Sequence, residues 1–591
     1  MSGVTLLESV AAWFKYLVPI KPILVSEIHL ILSAVLPIYA GAHASLSRPS
    51  SAAKPPKKSE DESDEDEARE IKQKLESLEP SDAILFPLMA GITLAGLYLV
   101  IEWLRDPTIF NKALNIYFSI MGLFFATSFV RDGLMVMRSC IFPSKYSSRG
   151  RLWKANQAQR TFIALEDAES SSKSTVPFRS SPLPGIFGAI PLPKQILNFL
   201  WACRRAAYQK IVFRAFVRGA LDVKSRLSLV DLVGATVAIV SVTYFVFVEK
   251  SWWLTNLLGF SFSYGSLQFM SPSTFATGSL ILGALFLYDI YFVFFTPMMV
   301  TVATKLDVPI KLLVPRPPGP KEEPDKLALS MLGLGDIVIP GMMIGLALRY
   351  DLYCYYRRKG IEKAKITNAK EGFIKPVYQK ATGSWGERLW TRRKPSHDIV
   401  LHPPYPDAQS FPKPFFYAGL VGYIIGMVAT LTVMSYWNHP QPALLYLVPG
   451  VLGSLWLTAV IRGELALFWS FVDTNPDDDH DDKNSKNDGD KAKAADSESS
   501  GRSFFARLLS GEADIFPNIF GASDRNNSES QKEVESHSPE LVEQRSESAV
   551  GEKDRASTSS PATGNETKES RKSSSGKRKD KELIKLSISL P

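Results

Sequence analysis

Cysteine is scarce in this 591-residue sequence: there are three, Cys140, Cys203 and Cys354. Their number and spacing exclude a disulfide framework and a cysteine-based metal site. A large excess of one charge is also missing. The 68 Lys and Arg stand against 60 Asp and Glu, for a net charge of +8. The basic residues gather in particular loops rather than in one patch, which favours a topology signal over nucleic-acid binding. The amino terminus lacks a clean signal-peptide core, because Glu8 and Lys15 interrupt the mildly apolar stretch from Thr5 to Ile20. Aromatic residues are absent from Ser45 to Ser81, where a basic cluster precedes a run of Glu, Asp and Ser. Such a composition buries too little apolar surface to offset ordering entropy, and predicts disorder.

What is present is a series of apolar runs set among very polar segments. Nine are long enough to be read as membrane spans: Pro22–Ala42, Ala83–Leu104, Ala113–Met135, Ser228–Val248, Leu254–Met270, Gly278–Val300, Lys326–Arg349, Phe415–Met434 and Ala443–Ile461. The fold class predicted is an all-α polytopic membrane protein with disordered loops and a disordered carboxyl-terminal tail. Residues 1–137 hold the first three spans and the polar loop 45–81. Residues 138–227 are a hydrophilic insertion, and 228–471 hold spans four to nine with a basic loop at 349–413. Residues 472–591 turn acidic, then Ser-rich, then basic, and read as a disordered tail. Within the insertion, Leu183–Leu192 reads as loop, and Gln195–Val223 interleaves basic and aromatic residues in the manner of an amphipathic surface helix. Glu27 and His29 read as interfacial or bundle-facing residues, Arg131 and Asp132 as a pair or as residues snorkelling to the headgroups, and Asp231 as a helix-start residue.

Two spans carry a lone carboxylate near their middle, Asp289 and Asp336. A charged side chain at the centre of a bilayer costs roughly 3 kcal/mol or more, so each is a functional candidate. Asp289 lies about 11 residues, or roughly 16 Å, into its span, and Asp336 about 10 residues, or roughly 15 Å, into the next. Consecutive spans run antiparallel, so the two carboxyl groups are expected to face each other. Like charges in a dry site cannot both ionise, so the pair would share a proton. One carboxylate would then activate a water while the protonated partner polarises a carbonyl. Gly333 and Gly335 remove side chains beside Asp336, and Tyr288 offers a hydroxyl near Asp289.

Tyr288-Asp289, then Gly333-Leu334-Gly335-Asp336, then Gln441-Pro442-Ala443-Leu444 resemble, in that order, the three signatures of the intramembrane aspartyl proteases. The flanks LFLYDIYFVF, MVTVATKLDVPIKLL, MLGLGDIVIPG and QPALLYLVPG are more similar to signal peptide peptidase than to presenilin or the signal-peptide-peptidase-like proteases. The strong similarity runs from Ser251 to Gly463. The resemblance implies a presenilin/signal-peptide-peptidase-like fold of nine transmembrane helices. It implies an aspartic endopeptidase with Asp289 and Asp336 as catalytic residues and no metal or organic cofactor. Tyr288, Gly333, Leu334, Gly335, Pro442, Ala443 and Leu444 would shape the site. Substrates would be type II transmembrane segments such as signal-peptide remnants, met in the lipid bilayer of the endoplasmic reticulum. Further partners would be a second copy of the chain or a membrane quality-control complex. The proline-rich link from Lys305 to Asp325 cannot be one helix; it would offer an extended edge on which an unwound substrate is laid as a strand.

Heavily basic loops follow the third and seventh spans, and the positive-inside rule puts them in the cytosol. The amino terminus is then lumenal and the carboxyl tail cytosolic, although the Lys305–Lys326 link also carries lysines on the lumenal side. The chain departs from the family in its long insertions, its long tail and an ending, Leu586 to Pro591, without the Lys-rich retrieval signal of many members. Two other readings compete. A transporter would use the two acids to carry protons or cations, but transport explains neither the Gly-x-Gly before Asp336 nor Pro442-Ala443-Leu444, and no internal repeat is visible. An inert chaperone would only bind signal anchors.

Overall fold

The computed structural model describes residues 6–54, 76–104, 108–148, 151–165, 178–317 apart from 186, 218–220 and 307–308, 328–391 apart from 369–371, 380–381 and 384, and then 411–437, 441–473 and 584–589. Most of the polar loop 45–81 and of the tail lies outside the described residues.

The apolar runs form helices, as an uninterrupted backbone ladder inside one segment requires in lipid. The helices are α1 (Leu6–Ala44), α2 (Asp82–Trp103), α3 (Thr108–Ile141), α4 (Lys194–Tyr208), α5 (Leu229–Phe247), α6 (Trp252–Phe269), α7 (Phe275–Phe294), α8 (Met298–Lys305), α9 (Gly335–Thr367), α10 (Trp385–Thr391), α11 (Pro414–Trp437), α12 (Leu444–Ile461) and α13 (Leu465–Ser470). Eight of them, α1, α2, α3, α5, α7, α9, α11 and α12, are long and apolar enough to cross a membrane. Among the described residues, the expected span that is not long and apolar enough by this measure is α6. It matches α12 in length at 18 residues, but Thr255, Asn256, Ser261, Ser263 and Gln268 are polar and buried. It packs inside the bundle against α1, α3 and the segment Lys311–Arg316.

The second departure is at the seventh span. α9 begins at Gly335, not Lys326, and continues past Arg349 to Thr367. Residues Ala328–Gly333 are instead a strand, paired antiparallel with Lys311–Arg316. A short apolar run fits either element by hydropathy alone. Here Leu312 and Val314 alternate inward and are fully buried, the period-2 pattern of a strand. The depth of Asp336 is thus reached through an extended segment, not through ten residues of helix.

Residues 138–227 hold more structure than their polarity suggests. β-strands Lys145–Ser148, Arg151–Asn156, Thr161–Leu165 and Phe178–Arg179 make a four-stranded antiparallel sheet in sequence order. Tyr146, Trp153, Phe162 and Trp201 of α4 form its core. The expected surface helix at 195–223 is helical only through Tyr208. α10, inside the second basic loop, docks on this sheet and on the end of α3. Glu387 accepts from the Ser144 N–H at 2.9 Å, and Trp390 Nε1 donates to the Cys140 carbonyl at 2.8 Å. A separate unit, residues 210–227 and 518–591, has a three-stranded sheet of Lys210–Val217, Leu221–Ser228 and Ile584–Ser589, with the last strand antiparallel to the first.

Several charged residues act as fasteners. Ser228 and Asp231 form a capping box at the start of α5, with Asp231 accepting the Ser228 N–H at 2.7 Å. Arg131 pairs with Asp132 at 3.0 Å, and Asp132 accepts the Tyr264 hydroxyl at 2.7 Å. Asp351, on α9, accepts the Phe415 and Phe416 N–H groups and so caps α11. Arg349 is only 4% exposed. It meets Asp473 at 2.6 Å and also donates to Ser45 and Ser271, tying together α1, α9, the link before α7 and the segment after α13.

Candidate active site

Asp289 sits in the fourth turn of α7, and its side chain is buried. Its Oδ2 accepts the backbone N–H of Leu444 at 3.1 Å. The first N–H groups of a helix have no partner within it, and the peptide dipoles leave partial positive charge there. Pro442 and Ala443 form the entry to α12: the Ala443 carbonyl already accepts from Tyr446 and Leu447, and the Pro442 carbonyl from Leu445. That places the free Leu444 N–H at the tip, where it meets the carboxylate. Proline suits this position because it lacks an N–H that the helix start would leave unused.

Asp336 is the second residue of α9, so its carboxylate too stands in the first turn of a helix, where negative charge is favoured. Pro340 follows four residues later and has no N–H to give the Asp336 carbonyl. Gly333 is exposed, and a β-carbon built there would lie 3.5 Å from Asp336 Oδ2, so glycine leaves that side of the carboxylate open. Leu334 is buried and its carbonyl starts α9 by accepting from Ile337 and Val338. α7, α9 and α12 pack against one another, so the sequence signals of the three helices converge on one region. Tyr288 is half-buried, its ring against Phe292 at 4.5 Å between centroids.

The hairpin before α9 is held by a residue that sequence reasoning missed. Asn256 of α6 donates to the Leu313 carbonyl and accepts the Leu313 N–H, both at 2.7 Å. A side-chain amide thus completes the outer edge of Lys311–Arg316 as a further strand would. Leu313 pairs with Met331. With Leu313 bonding away from its partner, this is a non-hydrogen-bonded pair, so the Met331 N–H and C=O also point outward. The same parity applies to Leu329 and Gly333, opposite Pro315 and Lys311. Proline at 315 needs no ladder donor there. The hairpin thus has one edge closed by Asn256 and one edge, ending at Gly333, beside Asp336. Polarity inside an apolar run was the signal that could have flagged Asn256. Among the described residues no group of three or more His, Cys, Asp or Glu comes together to hold a metal ion.

The model of the family described as Signal peptide peptidase, Peptidase_A22B, matches residues 70–475. The chain belongs to the signal peptide peptidase family. Signal peptide peptidase of Mus musculus is 28% identical over 421 residues, covering 71% of this chain and 80% of that protein. Signal peptide peptidase of Homo sapiens is 28% identical over 404 residues, covering 68% and 76%. A probable intramembrane protease of Schizosaccharomyces pombe is 33% identical over 250 residues, covering 42% and 67%. As a member of the signal peptide peptidase family the chain is a multi-span intramembrane protease, a hydrolase.

Proposed function

We propose that the chain is an aspartic endopeptidase in which Asp289 and Asp336 share one proton and hydrolyse peptide bonds inside type II transmembrane segments, signal-peptide remnants among them. The carboxylate form takes a proton from water as the water oxygen bonds to the carbonyl carbon. The protonated partner gives its proton to the carbonyl oxygen, which yields a gem-diol. Collapse then breaks the C–N bond, with the amine leaving protonated. Because the pair titrates as a unit, neither role belongs to one residue. The chemistry calls for two carboxyl groups and a water, and for no metal or organic cofactor. Gly333, Leu334, Gly335, Pro442, Ala443 and Leu444 shape the site, and Tyr288 backs it.

The observation that carries this reading is the convergence at Asp289: the Leu444 N–H bonds it, and α7 packs both on α9, which carries Asp336, and on α12. The hairpin edge at Leu329, Met331 and Gly333, which pairs with no further strand among the described residues, supports it further, since a helical substrate must unwind before attack and a strand edge receives extended backbone. The similarity to the mammalian peptidases and the basic loops support residence in the endoplasmic reticulum with a lumenal amino terminus and a cytosolic tail. A transporter reading explains neither the helix end on Asp289 nor the hairpin.

The test is cleavage of a model type II signal peptide in detergent-solubilised membranes by the parent, Asp289→Ala and Asp336→Ala at equal expression. Cleavage by the parent alone supports the dyad. Cleavage that survives either change removes it.

A further inference from the structure

Tyr423 lies on α11 and is fully buried. Its position follows from the packing of α11. Phe415 and Phe416 meet Asp351 of α9 through their N–H groups, and Gly419 packs on Ile344 of α9. α11 therefore runs back along α9 toward its amino end. Tyr423 is four residues beyond Gly419, on the same stripe and one turn nearer Asp336. Gly422 and Gly426 fix this register from the other side. A β-carbon at Gly422 would lie 2.2 Å from the Gly450 carbonyl oxygen, and one at Gly426 2.8 Å from that of Tyr446, so α11 and α12 touch backbone to backbone.

The Tyr423 hydroxyl is buried without a hydrogen-bond partner. Leaving such a group unpaired costs more than the group's removal would, so its retention asks for a use. The packing of α11 on α9 turns this buried hydroxyl's helix turn toward the end of α9 that carries Asp336.

Building on the proposed aspartic mechanism, we propose that Tyr423 is a further catalytic residue: its O–H donates a hydrogen bond to the tetrahedral gem-diol held by Asp336. Partial negative charge builds on the carbonyl oxygen on the way to the gem-diol, so a donor aimed at that oxygen's tetrahedral position lowers the barrier without tightening substrate binding.

The experiment uses full-length protein in detergent, with parent, Tyr423→Phe and Asp336→Ala. Four quantities are read: kcat and KM for a transmembrane reporter peptide, thermal unfolding, and affinity for a peptide whose scissile bond is replaced by a hydroxyethylene isostere. The expected result for Tyr423→Phe is a kcat lower by about 100-fold. KM stays within about twofold of the parent, and Tm is unchanged or higher. The isostere binds at least about tenfold more weakly, as expected of a lost interaction with the intermediate. A kcat and isostere affinity equal to the parent's overturn the proposal. So does a loss of kcat that comes with a lower Tm, which marks a packing role. If Asp336→Ala still cleaves, the dyad itself fails and the proposal with it. If Asp336→Ala is dead and Tyr423→Phe is at full speed, the dyad stands and only the tyrosine's role falls.

Discussion

The backbone N–H of Leu444 reaches Asp289 Oδ2 at 3.1 Å across 155 residues of sequence. A helix end, not a side chain, holds the carboxylate. Asparagine at 289 keeps an oxygen that can accept this bond, whereas alanine leaves a buried N–H unpaired at about 1–3 kcal/mol. Both Asp289→Asn and Asp289→Ala are expected to abolish cleavage, but only the alanine variant to lower the unfolding midpoint. Parallel peptide-cleavage and thermal-unfolding measurements check this.

Asn256→Leu removes both bonds to Leu313 at similar volume. Each orphaned backbone group costs about 1–3 kcal/mol, and the hairpin loses its fixed position beside Asp336. Faster hydrogen exchange at the Leu313 amide is expected, with cleavage falling about tenfold as the strand edge drifts from the carboxylates. Unchanged exchange would show that Asn256 does not hold the hairpin.

Gly422→Ala places a β-carbon against the Gly450 carbonyl and Ser454 Oγ at 2.2 and 2.4 Å. The first is backbone and cannot turn away, so α11 and α12 must part. A loss of about 1–3 kcal/mol is expected, read as a lower midpoint in detergent, together with reduced activity.

Lys413 precedes α11 and donates to His43 Nε2 at 2.9 Å, the tautomer being assigned from the bond of Nδ1 to the Tyr39 carbonyl. Burial, then the nearby Arg388 charge, pushes the Lys413 ammonium down to about 8 from 10.5, against the opposing pull of Asp351. Between those values the unfolded chain binds more protons than the folded one, so stability rises with pH across the window. The cost is fully present below pH 8 and gone by about 10.5. The difference in midpoint between parent and Lys413→Gln should therefore move in the parent's favour from pH 8 to 10.5. A constant difference would contradict the assignment.

The helical bundle and the pair of acids were legible because long apolar runs have few alternatives in lipid and a carboxylate within one is costly. The strand Ala328–Gly333 was not, since a short, mostly apolar run before a helix reads as the helix's own first turns. Only its partner strand, with Leu312 and Val314 facing in, decides the matter. The sheet at 145–179 hid for a related reason. Its core is a few aromatics, Tyr146, Trp153 and Phe162, spread through charged sequence and completed by Trp201 from a helix further on. Arg349 read as the first residue of a loop because a buried guanidinium looks like an exposed one until Asp473 is placed beside it.

That pairing also sets how short the working chain can be made. Asp473 lies just inside the family match, which closes at residue 475. Its carboxylate is the counter-charge of a guanidinium embedded among α1, α9 and the approach to α7. Trimming the tail back to residue 475 removes none of the contacts described for the bundle. Trimming four residues further, to Phe471, strands a positive charge in the interior.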